Sequence, residues 1–149
     1  MKKHFLIGAI ALCTSAGSLF AQHILQSQVP SVVVNNFQQA FPKAYDVDWK
    51  MDMNLYKVDF ELGLLGTDHD VWYDPTGKVV KHKEEISKSD LPQKVQAKIN
   101  TDFSGFRVSD VKKITEGNNA IYTLDLKTFT QEWKVAYDAE GKILSKVAD

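Results

Sequence analysis

Residues 70–80 have the sequence DVWYDPTGKVV, and residues 134–144 have the related sequence KVAYDAEGKIL. Both stretches share the pattern Val-x-Tyr-Asp-x-x-Gly-Lys followed by two aliphatic residues. The aspartate can bond to the backbone of its own turn, and the glycine supplies a positive φ at the end of the loop. Each stretch therefore predicts a β-hairpin, and the recurrence of the hairpin predicts an internal duplication.

The duplication extends to the segments before each hairpin. Alternating apolar runs begin at Tyr56 and at Tyr122, as is typical of strands with one buried face. Further upstream, Val29-Pro30 and Leu91-Pro92 each precede a stretch with helical spacing, and proline suits the first turn of a helix. The predicted buried helix positions are Val33, Phe37, Ala40 and Phe41 in the first copy and Val95, Ile99 and Phe103 in the second.

A further strand precedes the alternating run in each copy. Residues 47–53 alternate regularly, with Val47 and Trp49 on the apolar side, whereas the second copy loses the period near Ser109 and Asp110, where a β-bulge would explain the change. We therefore predict an α+β fold of two tandem repeats, each with one helix packed on a four-stranded antiparallel sheet. The repeats span 22–86 and 87–149 and together form one domain, with residues 81–88 as the linker.

The first residues predict export. Two lysines precede an apolar run at residues 5–12, and small residues then lead to Ala21. These are the three parts of a signal peptide, so we predict that residues 1–21 are removed and that the mature chain is periplasmic or secreted. A retained membrane anchor is the alternative, but Thr14 and Gly17 are among the residues that dilute the stretch below the about 20 apolar residues of a spanning helix.

Cys13 allows a second form of processing, in which a lipoprotein signal ends at an acylated cysteine. Such processing requires a small residue before the cysteine, and Leu12 occupies that position, so we do not favour it. Removal of residues 1–21 leaves a mature chain without cysteine, which must be stable through its core alone.

The composition argues against several functions. Without Lys2 and Lys3, the chain has 16 basic and 19 acidic residues and therefore a net charge of −3, which does not favour nucleic acid as a partner. No apolar stretch after the signal is long enough to span a membrane. No thiol nucleophile, phosphate-binding loop or His-Glu-x-x-His pattern is present in the mature sequence. We therefore predict a protein that is not an enzyme and needs no cofactor.

Strand alternation separates the residues of the hairpin strands into two faces. Val71 and Tyr73 are predicted to face the helix, with Trp133 in the core beside Val135, whereas Trp72 points to the opposite, open face of the sheet. An exposed aromatic ring surrounded by charge suits a partner-binding surface, although Trp72 packing against its neighbours is the alternative. The predicted partner-binding residues are Trp72, Asp70, Asp74, Lys57, Asp59 and Glu61, and the corresponding set in the second copy is Thr123, Asp125, Lys127, Glu132, Lys134 and Ala136.

The stretch Asp68-His69-Asp70 suggests a metal site, but adjacent strand residues point to opposite faces and two carboxylates are too few for calcium. His23 is expected in a flexible start and His82 in the linker, so the histidines form no cluster. We predict no metal site. A small-ligand or calcium-binding role for the acidic face of the first repeat remains the alternative function.

Several residues together resemble the PepSY-like family. They are Val29-Pro30, Phe41-Pro42-Lys43-Ala44, Trp49, Tyr56-x-Val58 and the paired Tyr-Asp-x-x-Gly-Lys hairpins. The resemblance covers the chain from Val29 to Val147. It implies an exported protein of a kind common in Bacteroidetes-type bacteria and similar to β-lactamase-inhibitor proteins.

In the inhibitor fold, two repeats lie side by side, their sheets form one concave surface, and the helices lie behind it. The resemblance therefore implies a protein that holds its partner on the open sheet face without chemistry. The expected partner is an exported protein, a peptide or an envelope polymer. The inhibitor proteins carry disulfides, whereas the mature chain here has no cysteine.

Overall fold

The computed structural model describes residues 21–149, so the predicted signal peptide lies, apart from Ala21, outside the described residues. The described chain forms nine strands, two α-helices and two single-turn 3-10 helices at Gln26–Gln28 and Lys88–Asp90. The helices are α1 (Ser31–Ala40) and α2 (Gln93–Asp102). The strands are β1 (Gln22–Ile24), β2 (Tyr45–Asp52), β3 (Leu55–Leu62), β4 (Thr67–Tyr73), β5 (Val79–Glu85), β6 (Arg107–Glu116), β7 (Asn119–Lys127), β8 (Glu132–Asp138) and β9 (Ile143–Ala148).

All nine described strands form one antiparallel sheet in which each strand pairs with the next along the chain. The α+β class is thereby confirmed, but the prediction of two four-stranded sheets is too simple. Strand β1 adds a ninth strand beside β2, and β5 pairs directly with β6 over residues 81–85. Most of the predicted linker at residues 81–88 therefore belongs to a strand. This pairing satisfies backbone groups that would otherwise leave exposed edges between the two halves.

Both helices lie on the same face of the sheet and bury one apolar stripe each. Val33 and Phe37 of α1 and Val95 and Ile99 of α2 are buried, as predicted. Each helix begins directly after a proline, which confirms the predicted starts. Ala40 is exposed, contrary to the prediction, because the partly buried Phe41 continues the stripe beyond the end of α1.

The bulge predicted near Ser109 and Asp110 is confirmed by a register shift between Ser109 and Lys112. An equivalent shift lies between Tyr45 and Asp48 in β2, where the sequence predicted regular alternation. Asp46 and Asp110 both have a φ of 50° at these bulges. Val47 follows the first bulge and is 38% exposed, so its predicted place on the apolar side is wrong. The two halves share this irregularity.

Candidate functional site

The open face of β2–β5, opposite the helices, carries a chain of ion pairs. Lys57 Nζ lies 2.7 Å from Asp59 Oδ1 and 3.4 Å from Asp70 Oδ1. Lys50 pairs with the other oxygen of Asp59, and Lys83 pairs with the other oxygen of Asp70. The register places Asp59 opposite Asp70, so pairing of β3 with β4 brings three of the predicted site residues together.

The electrostatics of Asp59 follow from this arrangement. Burial raises the pKa of its carboxyl group, but hydrogen bonds from Lys50 and Lys57 outweigh that effect, so the pKa lies below its ordinary value. The same hydrogen bond from Lys50 to Asp59 raises the pKa of Lys50. Both groups are therefore charged at neutral pH. The network extends to β1, where His23 Nδ1 lies 3.0 Å from Asp48 Oδ2, so the predicted flexible start is instead a paired strand.

Trp72 lies on the open face, as predicted, but it is only 8% exposed rather than a free aromatic surface. Its ring lies between two ammonium groups, with Lys57 Nζ 5.1 Å and Lys81 Nζ 4.8 Å from the ring centre. Its Nε1–H donates a hydrogen bond of 2.7 Å to Asp52 Oδ2. Cation–π contacts and this hydrogen bond fix the ring within the face. Trp72 therefore stabilises the surface and does not project from it.

Asp74 lies in the β4–β5 turn, apart from the ion-pair network. Its Oδ1 accepts hydrogen bonds from the backbone N–H groups of Thr76 and Lys78, at 2.8 and 3.1 Å. The Thr76 hydroxyl also donates to this oxygen, at 2.6 Å. These bonds stabilise the turn and hold the pKa of Asp74 below its ordinary value. The structure therefore separates Asp74 from the other five predicted residues.

Next to the network, the open face contains a depression of about 380 Å³. Six carboxylates and two lysines are among its lining residues, and the set comprises Asp46, Asp59, Phe60, Glu61, Asp68, His69, Asp70, Lys83, Glu85 and Lys112. Asp59 and Asp70 are paired with lysines, but Asp46, Glu61, Asp68 and Glu85 form no ion pair within residues 21–149. The depression thus presents four carboxylates without an ion-pair partner in the described chain, although Lys112 lies opposite Glu85 in the register of β5 and β6. Of these four, only Glu61 belongs to the predicted partner-binding set.

On the helix side of the same strands, His69 and His82 meet. His69 Nδ1 lies 3.1 Å from His82 Nε2, and the rings stack with centroids 5.4 Å apart. Glu84 follows on β5, and one ligand atom from each of the three residues lies within 4.8 Å of the others. Within residues 21–149 this is the one place where three metal-ligating side chains converge. The sequence pattern did not predict this cluster because His82 was expected in a linker, whereas it lies on β5, which pairs with β4.

Burial lowers the pKa of both imidazoles, and the coulombic effect of Glu84 opposes this only in part. Both rings are therefore neutral at pH 7. Phe60 stacks on His69 at a centroid distance of 5.2 Å, and Phe41 lies 5.8 Å from His82. The pair is thus held in place by the aromatic core under α1.

Two overlapping segments, residues 21–81 and 54–145, match a family described as beta-lactamase-inhibitor-like, PepSY-like. The chain belongs to the PepSY-like family. The resemblance inferred from the hairpins is therefore confirmed, and the two matches together extend from Ala21 to Ser145. The overlap between the matches falls on β3, β4 and the start of β5, and β3 and β4 carry Lys57, Asp59 and Asp70 of the ion-pair network.

Solved structures that are similar to this chain include proteins from Bacteroides species. A protein described as periplasmic from Bacteroides eggerthii is 19% identical with a TM-score of 0.68, and the match covers 80% of this chain and 88% of that one. A DUF2874 family protein from Bacteroides uniformis is 20% identical with a TM-score of 0.67, covering 80% and 89%. A BLIP-like protein from Bacteroides fragilis is 17% identical with a TM-score of 0.63, covering 80% and 86%.

At these identities the solved structures establish a shared fold. A comparison with curated proteins found no match. Neither helix of the described residues has the length and apolar character needed to cross a bilayer.

Proposed function

We propose that this chain is an exported, non-enzymatic binding protein that holds a basic segment of another exported protein against the open-face depression. The observation that carries the proposal is the set of four carboxylates without ion pairs, Asp46, Glu61, Asp68 and Glu85, around one concavity. Unneutralised charge of one sign in a concave surface attracts and orients a partner of opposite charge. A basic protein segment supplies that charge together with apolar side-chain stems.

Support for export comes from three directions. The first residues have the pattern of a signal peptide, the chain belongs to a family that resembles inhibitor proteins, and a structural relative is described as periplasmic. We further propose that the sheet arose by duplication, with 22–86 and 87–149 as the two copies. The repeated helix, bulge and hairpin support this, while β1 belongs to the first copy alone.

The absence of catalysis is part of the proposal. The paired carboxylates of the open face are held in their charged form by lysines, and Asp59 is shifted away from the range of a general acid. The four other carboxylates surround an open depression and not an enclosed, desolvated pocket. Such a surface suits recognition by charge more than proton transfer.

Calcium binding by the acidic face is the second hypothesis, and it uses the same carboxylates. A calcium site requires six to eight oxygen ligands directed at one point. Within the described residues, no group of three carboxylates on this face converges closely enough to form such a centre. The geometry therefore favours a larger basic partner over a bare cation.

The test is binding of a short fluorescent oligolysine peptide, measured by anisotropy at low and physiological salt. We expect saturable binding that weakens as salt is added, because exposed charges are screened within about 8–10 Å. An oligoglutamate peptide should not bind. Asp68→Lys should weaken binding roughly tenfold, since it removes one attraction and adds one repulsion in the depression.

The matched control is Glu140→Lys, which makes the same change of net charge in the exposed turn between β8 and β9. Affinity of this variant should stay close to that of the wild-type protein. Equal losses in both variants would show that net charge alone governs binding and would overturn the proposed site. A rise in melting temperature with calcium, together with no peptide binding, would favour the second hypothesis.

A further inference from the structure

The histidine pair of the first half has no counterpart in the second half, although the frame around it is the same. The register pairs His69 with Glu84 and Val71 with His82 across β4 and β5. In the second half, β8 and β9 pair Trp133 with Ala148 and Val135 with Lys146. The positions of His69, His82 and Glu84 thus correspond to those of Trp133, Lys146 and Ala148.

At the corresponding positions of the second half, a lysine packs on aromatic rings. Lys146 Nζ lies 4.0 Å from the centre of the Trp133 ring and 5.0 Å from the Phe103 ring. A tryptophan ring in contact with a lysine ammonium group therefore satisfies the fold at this place. The fold itself does not require two histidines and a glutamate there, so their convergence in the first half calls for another explanation.

The donor atoms have the chemistry of a transition-metal site. Zinc is bound by imidazole nitrogens at about 2.0–2.1 Å, which places two such nitrogens about 3.3 Å apart in a tetrahedral site. The observed separation of His69 Nδ1 and His82 Nε2 is 3.1 Å. A carboxylate oxygen of Glu84, whose side chain is 26% exposed, lies within 4.8 Å of the ligand nitrogens of the pair. The burial that keeps both rings neutral also keeps them in the form that binds metal.

We propose that His69, His82 and Glu84 form a binding site for a divalent transition metal of the zinc class. Two imidazoles and one carboxylate leave a fourth position for water or for a group from a partner. The histidines lie on the helix side of β4 and β5, opposite the carboxylates of the open face, although His69 also borders the depression. Phe41 and Phe60 fix the rings before the metal arrives, which reduces the cost of ordering the ligands.

One neighbouring charge opposes the metal. Lys113 of β6 lies opposite Glu84, with its Nζ 3.7 Å from Glu84 Oε1. A bound cation would compete with this ammonium group for the carboxylate. Removing the Lys113 charge should therefore tighten metal binding, whereas it would have no such effect if the two histidines were only hydrogen-bonded to each other. The proposal can therefore be tested by a variant that should gain zinc affinity as well as by variants that should lose it.

The experiment is a calorimetric titration of the purified, untagged protein with zinc after dialysis against a chelator. We expect one zinc ion per chain and a rise in melting temperature with zinc concentration. Cobalt should replace zinc and give visible ligand-field absorption, which reports directly on the coordination of the ion. His82→Gln and Glu84→Gln should each weaken zinc binding by at least about tenfold, and Lys113→Gln should strengthen it.

The control is His23→Gln, which removes an exposed histidine of β1 away from the cluster and should bind zinc as the wild-type protein does. Glu84 lies near the surface, so Glu84→Gln keeps the test valid if His82→Gln does not fold. Absence of saturable zinc binding by the wild-type protein would overturn the proposal. Wild-type affinity in Glu84→Gln and His82→Gln, or an equal loss in His23→Gln, would overturn it as well.

Discussion

The core under α1 is aromatic, whereas the core under α2 is mainly aliphatic. The Phe37 ring lies 5.0 Å from Phe60, 5.4 Å from Trp49 and 5.8 Å from Phe41. Its counterpart Ile99 belongs to a cluster whose members include Leu124 and Leu126. The two halves nevertheless share the helix start after proline, the bulge and the hairpin turn. The backbone frame thus tolerates different interiors, and residues that differ between the halves are the better guide to function.

The largest expected effect comes from emptying either core. Phe37→Ala should lower the free energy of unfolding by about 3–5 kcal/mol, and Ile99→Ala by about 2–5 kcal/mol, because each leaves a cavity under its helix. The pairing of β5 with β6 joins both cores to one sheet. We therefore expect a single unfolding transition in both variants by calorimetry. Two separate transitions in either variant would show that the halves unfold independently.

Substitution of the glycines in the two hairpin turns should have the next largest effect on stability. Gly77 and Gly141 have φ values of 88° and 84°, which disfavour any residue with a side chain. A Cβ at Gly141 would lie 2.8 Å from the backbone oxygen of Lys94 in α2, whereas at Gly77 its nearest contact is the movable Asn36 amide, at 2.6 Å. Both alanine variants should lose about 1–2 kcal/mol through the backbone conformation.

Gly141→Ala should lose more than Gly77→Ala, since a helix backbone cannot move aside as a side chain can. Urea unfolding of the two variants measures the difference. Gly77→Ala should also weaken the hydrogen bond from Asn36 Nδ2 to the Gly77 oxygen, now 2.9 Å. A larger loss at Gly77 than at Gly141 would mean that this hydrogen bond outweighs the steric contact with α2.

The open faces of the two halves shift the pKa of two equivalent aspartates in opposite directions. Hydrogen bonds from lysines overcome the effect of burial and lower the pKa of Asp59, whereas burial and nearby Asp110 raise the pKa of its counterpart Asp125. Asp59→Asn should therefore cost about 1–2 kcal/mol at pH 7, a value reduced by partial solvent screening. Asp125→Asn should leave stability unchanged or slightly increased.

The pH dependence gives the sign of each effect. The lowered pKa of Asp59 means that its stabilisation is present above the unfolded-state pKa of about 3.9 and is lost as pH falls through the lower native value. The difference between wild-type protein and Asp59→Asn should thus disappear in acid. For Asp125 the raised native pKa means that any gain in the asparagine variant disappears below the same unfolded-state value. Urea titrations from pH 7 to about pH 2 would check both.

Much of the frame could be predicted from the sequence, because local rules govern it. Proline marked the starts of both helices, alternation placed Val71 and Tyr73 in the core, and the loss of period at Ser109 marked a bulge. The bulge at Asp46 escaped notice because the alternation of residue types continues through it. Local pattern does not report how far a strand continues, so the pairing of β5 with β6 was missed.

The site could be predicted only in part, for a related reason. Cross-strand register places Lys57, Asp59 and Asp70 together, and alternation gave their common face. The burial of Trp72 depends on long lysine side chains and on Asp52 from β2, which no spacing along one strand reveals. The meeting of His69 with His82 depends on β5 being a strand. Contacts of this kind follow from tertiary structure and not from a single periodic pattern.

The smallest expected difference concerns the turn aspartates, Asp74 and Asp138. Each accepts hydrogen bonds from two backbone N–H groups of its turn, at 2.8 and 3.1 Å for Asp74 and at 3.0 and 2.9 Å for Asp138. Asp74 has one further bond from the Thr76 hydroxyl. Alanine at either position should lower the melting temperature by similar small amounts, slightly more at Asp74, as thermal melting would show.

This pair also decides whether Asp74 belongs to the binding surface. Because its carboxylate is engaged by the turn and lies apart from the depression, Asp74→Ala should bind oligolysine as tightly as Asp138→Ala does. A selective loss of peptide affinity in Asp74→Ala, with equal melting temperatures, would extend the binding surface to the β4–β5 turn. Equal affinities would restrict the binding surface to the strands.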